Sequence, residues 1–255
     1  MTHYRCFLFP QATRAGDQVT LDARESHHLV RVLRARAGER VELLDGGGRR
    51  YGCRLEAAEP KAALLSIEEE TQAVDPKPAI TLVQSVPKGK TMDLILRMAT
   101  EIGVRRVVPV FTAQGEVQLQ GARLEAKVDK WRMTMVEACK QCGLPFLPEL
   151  VEPSRLEAWL GRGDPPGGLG LVASLEVGSQ PLVDCLRKSG PGVAELTVAV
   201  GPEGDFTNGE YAALAEAGFS PVRLGHNVLR AETAAAYLLS VIDQVLRNGV
   251  GQDPR

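Results

Sequence analysis

The chain is short of most features that assign a protein at a glance. Its 255 residues include only 5 cysteines, and aromatic residues make up 5%. An odd cysteine count does not complete a disulfide framework and fits a reducing, cytoplasmic setting better. Long hydrophobic runs are missing as well. The longest, Ala234 to Leu239, is far below the ~20 residues that a membrane-spanning helix needs. The opening stretch MTHYRCFLFPQ has no small-residue cleavage site and too little apolar length for a secretory signal. No stretch reads GxxxxGK[ST], so a P-loop is excluded. The net charge of −2 gives no overall attraction to nucleic acid. Cys139 and Cys142 have CxxC spacing, but no second ligand pair accompanies them, so no metal is expected. They lie in WRMTMVEACKQCG, which reads as an ordinary helix.

What is present is an uneven distribution of charge. Residues 1–55 hold ten arginines, no lysine, and six Asp plus Glu. Arginine is the residue suited to bidentate phosphate contact, although an excess of it also suits a plain solvated surface. The same region is β-rich. A short helical pattern at Leu29, Val30 and Leu33 precedes apolar runs at Val41–Leu44 and Ala62–Ile67. Gly46-Gly47-Gly48 punctuates them as a hairpin turn would. Short strands at this spacing suggest a small barrel. ETQAVDPKPAI then reads as an interdomain linker.

Beyond the linker, strands alternate with helices. AITLVQSV is a strand, and Met92, Ile95, Leu96, Ala99 and Ile102 mark one face of a helix that Gly103 stops. RRVVPVFT is the next strand, followed by a helix from Leu124 to Gln141. The segment RLEAWLG, the loop GDPPGG and the strands LGLVAS and ELTVAV come next. A last helix is expected from Glu232 to Arg247, its apolar face marked by Ala235, Leu238, Leu239, Ile242 and Leu246. This alternation implies a mostly parallel sheet covered on both faces. The fold class is therefore a small β domain followed by an α/β domain.

The stretch AVGPEGDFTNGE follows the strand ELTVAV, and Thr207 with Glu210 forms a capping box that starts another helix. Ligands of α/β sheets sit at such strand ends. Glu203 between the two glycines argues against a phosphate cradle, and a plain βα turn remains an alternative. Gly168 to Ala173 is the nearest match to a dinucleotide fingerprint, but it is itself apolar and reads as a strand. About twenty residues on, LGHNVLRAETA places Arg230 and Glu232 at a second strand-to-helix turn.

Together, GPEGDFTNGE and LGHNVLRAETA resemble the paired C-terminal motifs of the small-subunit (16S) ribosomal RNA uridine N3-methyltransferase family. That family belongs to the SPOUT superfamily of S-adenosylmethionine-dependent enzymes. ESHHLVRVLRARAGERVELLDG, VPKGKTMDLILRMATEIGVRRVVPV and VEACKQCGLPFLPEL fit the same family in order. The resemblance implies a PUA-like RNA-binding β-barrel over residues 1–74 and a trefoil-knotted methyltransferase domain over 75–250. It also implies a homodimer, with 16S RNA or the small subunit as partner. S-adenosylmethionine would be held by Val172, Ala173 and Ser174, by Gly201, Pro202, Glu203 and Gly204, and by Leu224, Gly225, Asn227, Val228 and Leu229. Arg5, Arg31, Arg34 and Lys88 would contact RNA.

Uracil N3 is protonated at neutral pH, so the enzyme must accept that proton or stabilise the anion left behind. Arg230 is a candidate to stabilise the anion or hold a phosphate. Glu232 could orient Arg230, take the proton, or only cap the last helix. Glu203 could be a base, a ribose-hydroxyl acceptor, or one half of an ion pair. The chain departs from the family pattern at three places. Asp205 stands where a second glycine is usual, and Asn227 and Leu144 stand where arginines are usual. Methylation at another RNA site, or RNA binding with weakened catalysis, remain alternatives.

Overall fold

A computed structural model describes residues 4–115, 120–162, 168–190 and 192–247. The chain divides into two compact units, Met1–Asp75 with Val136–Leu147, and Pro76–Met135 with Pro148–Arg255.

The first unit contains β1 (Tyr4–Phe7), β2 (Thr13–Ala15), β3 (Gln18–Thr20), α1 (Ala23–His27), β4 (Arg40–Leu44), β5 (Arg49–Ala57) and β6 (Leu64–Gln72). The strands form one sheet in the order β1-β4-β5-β6-β3-β2. Its pairings are antiparallel except β1 with β4. On a flat sheet β1 and β3 would lie roughly 19 Å apart at the usual strand spacing. Cys6 of β1 and Val19 of β3 nonetheless share one core with Val41, Leu43, Cys53, Leu55 and Leu65. A curled, barrel-like sheet explains this. Gly46 and Gly48 adopt φ of 75° and 101° in the β4–β5 hairpin, which only glycine enters easily. A Cβ on Gly48 would also collide with the Phe146 ring.

The expected linker starts later than its composition suggested, because β6 runs on to Gln72. Asp22 caps α1 by accepting the Arg24 and Glu25 amides. The helix then widens into a π-helical turn, His28–Val32. The wider turn buries Leu29 but leaves Leu33 37% and Val32 59% exposed.

Residues Val136–Leu147 join this unit through a buried charge pair. Lys140 Nζ donates to Glu25 Oε1 at 2.9 Å, and the side chains are 5% and 1% exposed. The other Glu25 oxygen accepts the Phe7 amide at 2.9 Å. Cys139, deep in the same helix, has its thiol pushed up to about 12, first by burial and then by the neighbouring Cys142. It is an inert packing residue.

The second unit starts with β7 (Ala79–Ser85), α2 (Thr91–Ile102), β8 (Arg106–Phe111) and α3 (Ala122–Cys142), whose last turns belong to the first unit. β9 (Glu149–Leu150), β10 (Ser154–Arg155), α4 (Leu156–Leu160), β11 (Leu169–Ala173), β12 (Gln180–Pro181) and α5 (Leu182–Ser189) follow. β13 (Glu195–Val200), α6 (Asn208–Glu216), β14 (Phe219–Arg223) and α7 (Ala231–Ile242) complete it. The strands form a parallel sheet in the order β10-β8-β7-β13-β11-β14-β12, with β9 paired to β8. Runs such as ELTVAV in β13, buried from Leu196 on, are what a sheet covered on both faces requires. This α/β class, with a smaller β unit ahead of it, is the one the sequence implied.

Local expectations are met in several places. Gly103 ends α2 at φ 92° and donates to Ala99. The segment that resembled a dinucleotide fingerprint is β11. Gly168 is required there because a Cβ would run into the Glu195 carbonyl oxygen. The GDPPGG loop before it lies, up to residue 167, outside the described residues. The last helix differs from expectation. α7 ends at Ile242 and is followed by a π-helical turn, Asp243–Arg247. There the buried Arg247 donates to the Pro78 carbonyl at 2.8 Å and to the Gly103 carbonyl at 2.9 Å.

Replacing Glu25 by alanine strands the Lys140 ammonium and the Phe7 amide. The expected cost is about 3 kcal/mol or more, read as a lower urea midpoint with an unchanged slope.

Candidate functional site

Three adjacent strands end side by side. In register, Val172 of β11 faces Ala199 of β13 on one side and Pro221 of β14 on the other. The Ser174 amide continues the ladder to the Val222 carbonyl at 2.9 Å. The loops that leave β11, β13 and β14 therefore start at one sheet edge, and together they line a pocket open to solvent.

The cavity is lined by Ala173, Ser174 and Leu175 from the first loop and by Gly201, Pro202, Glu203 and Asp205 from the second. Arg223, Leu224, Gly225, Asn227, Val228 and Leu229 come from the third, with Ala231 and Ala234 of α7. Most of the residues expected to hold the methyl donor are thus brought together. Val172 is not; it is buried in β11 and supports the wall from behind. Gly204 is exposed beside the cavity, with the Gln114 side chain where a Cβ would go. Leu175 and Val228 line the space while 59% and 76% exposed. Uncovered apolar side chains, glycine backbone and few cations suit a neutral, flat heterocycle better than a polyphosphate.

The second loop is held at both ends. The Asp205 amide closes a turn onto the Pro202 carbonyl at 3.0 Å. Thr207 and Glu210 form the expected capping box. The structure adds a bond that the sequence could not reveal. Glu210, 3% exposed, also accepts the Ala113 amide at 2.8 Å, which ties the loop after β8 to the start of α6. Phe206 packs edge-on against Tyr211 at 5.6 Å.

Arg230 is the N-cap residue of α7, and it is exposed next to the cavity-lining Leu229 and Ala231. Its side chain makes no hydrogen bond or ion pair among the described residues. Glu232 sits in the first turn of α7, where a carboxylate favours the helix dipole. Its carboxylate accepts no hydrogen bond among the described residues, so it does not cap the helix. Glu203 is exposed on the cavity wall and likewise has no partner among the described residues.

In the first unit, Arg5 pairs with Glu42 at 2.5 Å and donates to the Lys140 and Gln141 carbonyls at the end of α3. Arg14, Arg24, Arg49, Arg50 and Arg54 are also paired with carboxylates. Arg31 and Arg34 are exposed and unpaired among the described residues, as are Arg36 and Arg40, which the sequence reading did not single out. Spacing gives no means of separating paired from unpaired arginines; only the strand register and the packing of α3 do. Lys88 is exposed in the loop after β7. Among the described residues, Glu25, His28 and Glu137 come close enough to share a metal ion. Lys140 Nζ already lies 2.9 to 3.4 Å from all three, so an ammonium fills that place.

Comparison with known proteins agrees with this arrangement. The RNA methyltransferase domain family matches residues 75–243, and the RNA methyltransferase PUA domain matches residues 21–68. Ribosomal RNA small subunit methyltransferase E of Synechocystis sp. is 31% identical over 96% of this chain and 78% of its own length. The enzyme of the same name from Neisseria gonorrhoeae, solved with S-adenosyl methionine, superposes with a TM-score of 0.84 at 29% identity, covering 95% of this chain and 97% of its own. A methyltransferase from Legionella pneumophila, solved with bound S-adenosylmethionine, gives 0.83 at 27% identity, covering 94% and 96%. With its parallel sheet, its loop-built cavity and these relatives, the chain belongs to the ribosomal RNA small subunit methyltransferase E family.

Proposed function

We propose that this chain methylates N3 of a uridine in 16S ribosomal RNA, with S-adenosylmethionine as donor. One observation carries the reading. Three loops from adjacent parallel strands build an apolar-walled cavity, and Arg230 stands beside it with its guanidinium uncommitted. The two relatives solved with S-adenosylmethionine align over nearly all of this chain and support the choice of donor.

Bound in the cavity, S-adenosylmethionine supplies an electrophilic methyl group. The chain's own residues do the rest. Leu175, Val228 and Leu229 offer apolar surface to the adenine, and backbone at Gly201, Pro202 and Gly225 supplies amides and carbonyls to its edge. Val172 and Gly204 support that wall, and Asn227 adds a neutral amide to it. Arg230 stabilises the negative charge that uracil acquires when N3 loses its proton. Glu232 and Glu203, carboxylates beside the cavity, are the candidates to accept that proton.

RNA is held in the first unit by Arg31 and Arg34, extended by Arg36 and Arg40. Arg34 has a φ of 60°, a conformation uncommon for a long side chain, which projects the chain just beyond the π-helical turn. Arg5 enters this surface only as far as its bonds to Glu42 and the end of α3 leave it exposed. Lys88 contributes from the loop after β7. Residues 1–74 act as the PUA-like RNA-binding domain and 75–250 as the methyltransferase domain.

The methyltransferase domain is read as trefoil-knotted, with β11 between β13 and β14 and α7 packed against α2. The chain is read as a homodimer through the outer face of α7. There Ala236, Tyr237 and Val241, with Val245 of the following π-helical turn, line a shallow, mainly apolar cleft, and Tyr237 is 46% exposed. The free cysteines fit action in the cytoplasm.

Two measurements follow. With purified protein and small subunits, Arg230→Ala is expected to lower methyl transfer by roughly a hundredfold. Its affinity for S-adenosylmethionine by calorimetry should stay within about threefold of wild type. An equal loss in both would make Arg230 part of the donor pocket instead. Val241→Glu is expected to shift the protein to monomer in sedimentation velocity. An unchanged dimer would place the interface elsewhere.

A further inference from the structure

Asp205, in the loop after β13, has a definite setting. Its φ of 62° lies in the left-handed region, which aspartate enters more readily than most residues with a side chain. The conformation is locked by two bonds to one oxygen. Asp205 Oδ1 accepts the Phe206 amide at 2.8 Å and the Tyr211 hydroxyl at 2.8 Å.

The anchor is itself well fixed. Tyr211 packs against Phe206, and its hydroxyl also interacts with Ser174, a cavity-lining residue of the first loop. Burial, together with the Asp205 carboxylate, pushes the phenol well above its ordinary value, so it remains a donor throughout the physiological range. The other carboxylate oxygen, Oδ2, accepts no hydrogen bond among the described residues. Asp205 itself lines the cavity. A preoriented anion thus faces a space whose other charged lining residues are Glu203 and Arg223, the remainder being apolar side chains and neutral backbone. Two carboxylates against one guanidinium leave a net negative lining, which favours a cation.

We infer that Asp205 is a specificity-determining residue whose carboxylate pairs with a cationic centre of the methyl donor. The inference rests on the reading of the cavity as the donor site. S-adenosylmethionine has two such centres, the α-ammonium of its methionine part and the sulfonium. Pairing with the sulfonium would favour the donor over the neutral sulfide product, whereas pairing with the ammonium would hold both. A glycine at this position leaves the cavity without this charge.

The test is calorimetry on the full-length protein with S-adenosylmethionine, S-adenosylhomocysteine and 5′-methylthioadenosine. The last has the adenosine and the sulfur but neither cation. Asp205→Asn keeps an acceptor for Tyr211 and removes the charge. Asp205→Gly adopts the loop conformation without strain, so folding is preserved. Both are expected to weaken S-adenosylmethionine about tenfold or more, as for a hydrogen bond to a charged group. Their affinity for 5′-methylthioadenosine should stay within about twofold of wild type. A parallel loss for S-adenosylhomocysteine assigns the contact to the ammonium, and a loss confined to the donor assigns it to the sulfonium. Unchanged donor affinity in both variants would overturn the inference and leave the donor site standing. Equal losses for all three ligands would also overturn it, since they would show that Asp205 only shapes the loop. If the wild-type protein bound none of the three, the reading of the cavity would fail as well.

Discussion

The arrangement depends on the parallel register of β13, β11 and β14. Because Val172 pairs with Ala199 on one side and Pro221 on the other, three chain segments distant in sequence leave the sheet at the same height. Parallel strands all point the same way, so their C-terminal loops gather on one edge, and a change of direction in strand order opens a crevice there. A register slip in any one strand would turn its inward side chains to the opposite face and misplace its loop. Two of the strands that carry the loops, β11 and β13, are accordingly apolar and largely buried. The energy that fixes the cavity is largely that of burying Leu171, Val198, Ala199 and Val222 behind it.

Around that frame, charge is used in two ways. The most deeply buried charged side chains are bonded: Glu25 with Lys140, Glu210 with the Thr207 and Ala113 amides, and Arg247 with two carbonyls. Each ties together segments distant in sequence, where loss of either partner would leave an unsolvated group. Exposed charges near the cavity and on the π-helical turn, Arg230, Glu232, Arg31 and Arg34, bond nothing among the described residues. The first set holds the fold, and the second set is available to a substrate.

Much of this was legible in the residues. The α2 face, the capping box at Thr207 and Glu210, the hairpin glycines and the two loop motifs all depend on local spacing, which sequence records directly. What was not legible depends on long-range pairing. Six of the ten early arginines, Arg5 among them, are neutralised by glutamates brought close by strand register or by the end of α3. No sequence window contains both partners of the pairs Arg5–Glu42 and Arg24–Glu137. Helix α5 is short and mostly polar, and the i to i+5 bonding of the π-helical turns has no apolar period of its own, so neither leaves a mark in the sequence. Likewise, Glu210 looked like a cap alone until the Ala113 amide was found on its second oxygen.

The central claim is that the loop-built cavity serves methyl transfer to uridine N3 of the small-subunit RNA. It is tested most directly by mapping modified nucleosides in 16S RNA from a strain that lacks this gene. The expected result is the loss of one N3-methyluridine, restored by the wild-type gene. N3-methyluridine persisting undiminished would contradict the account.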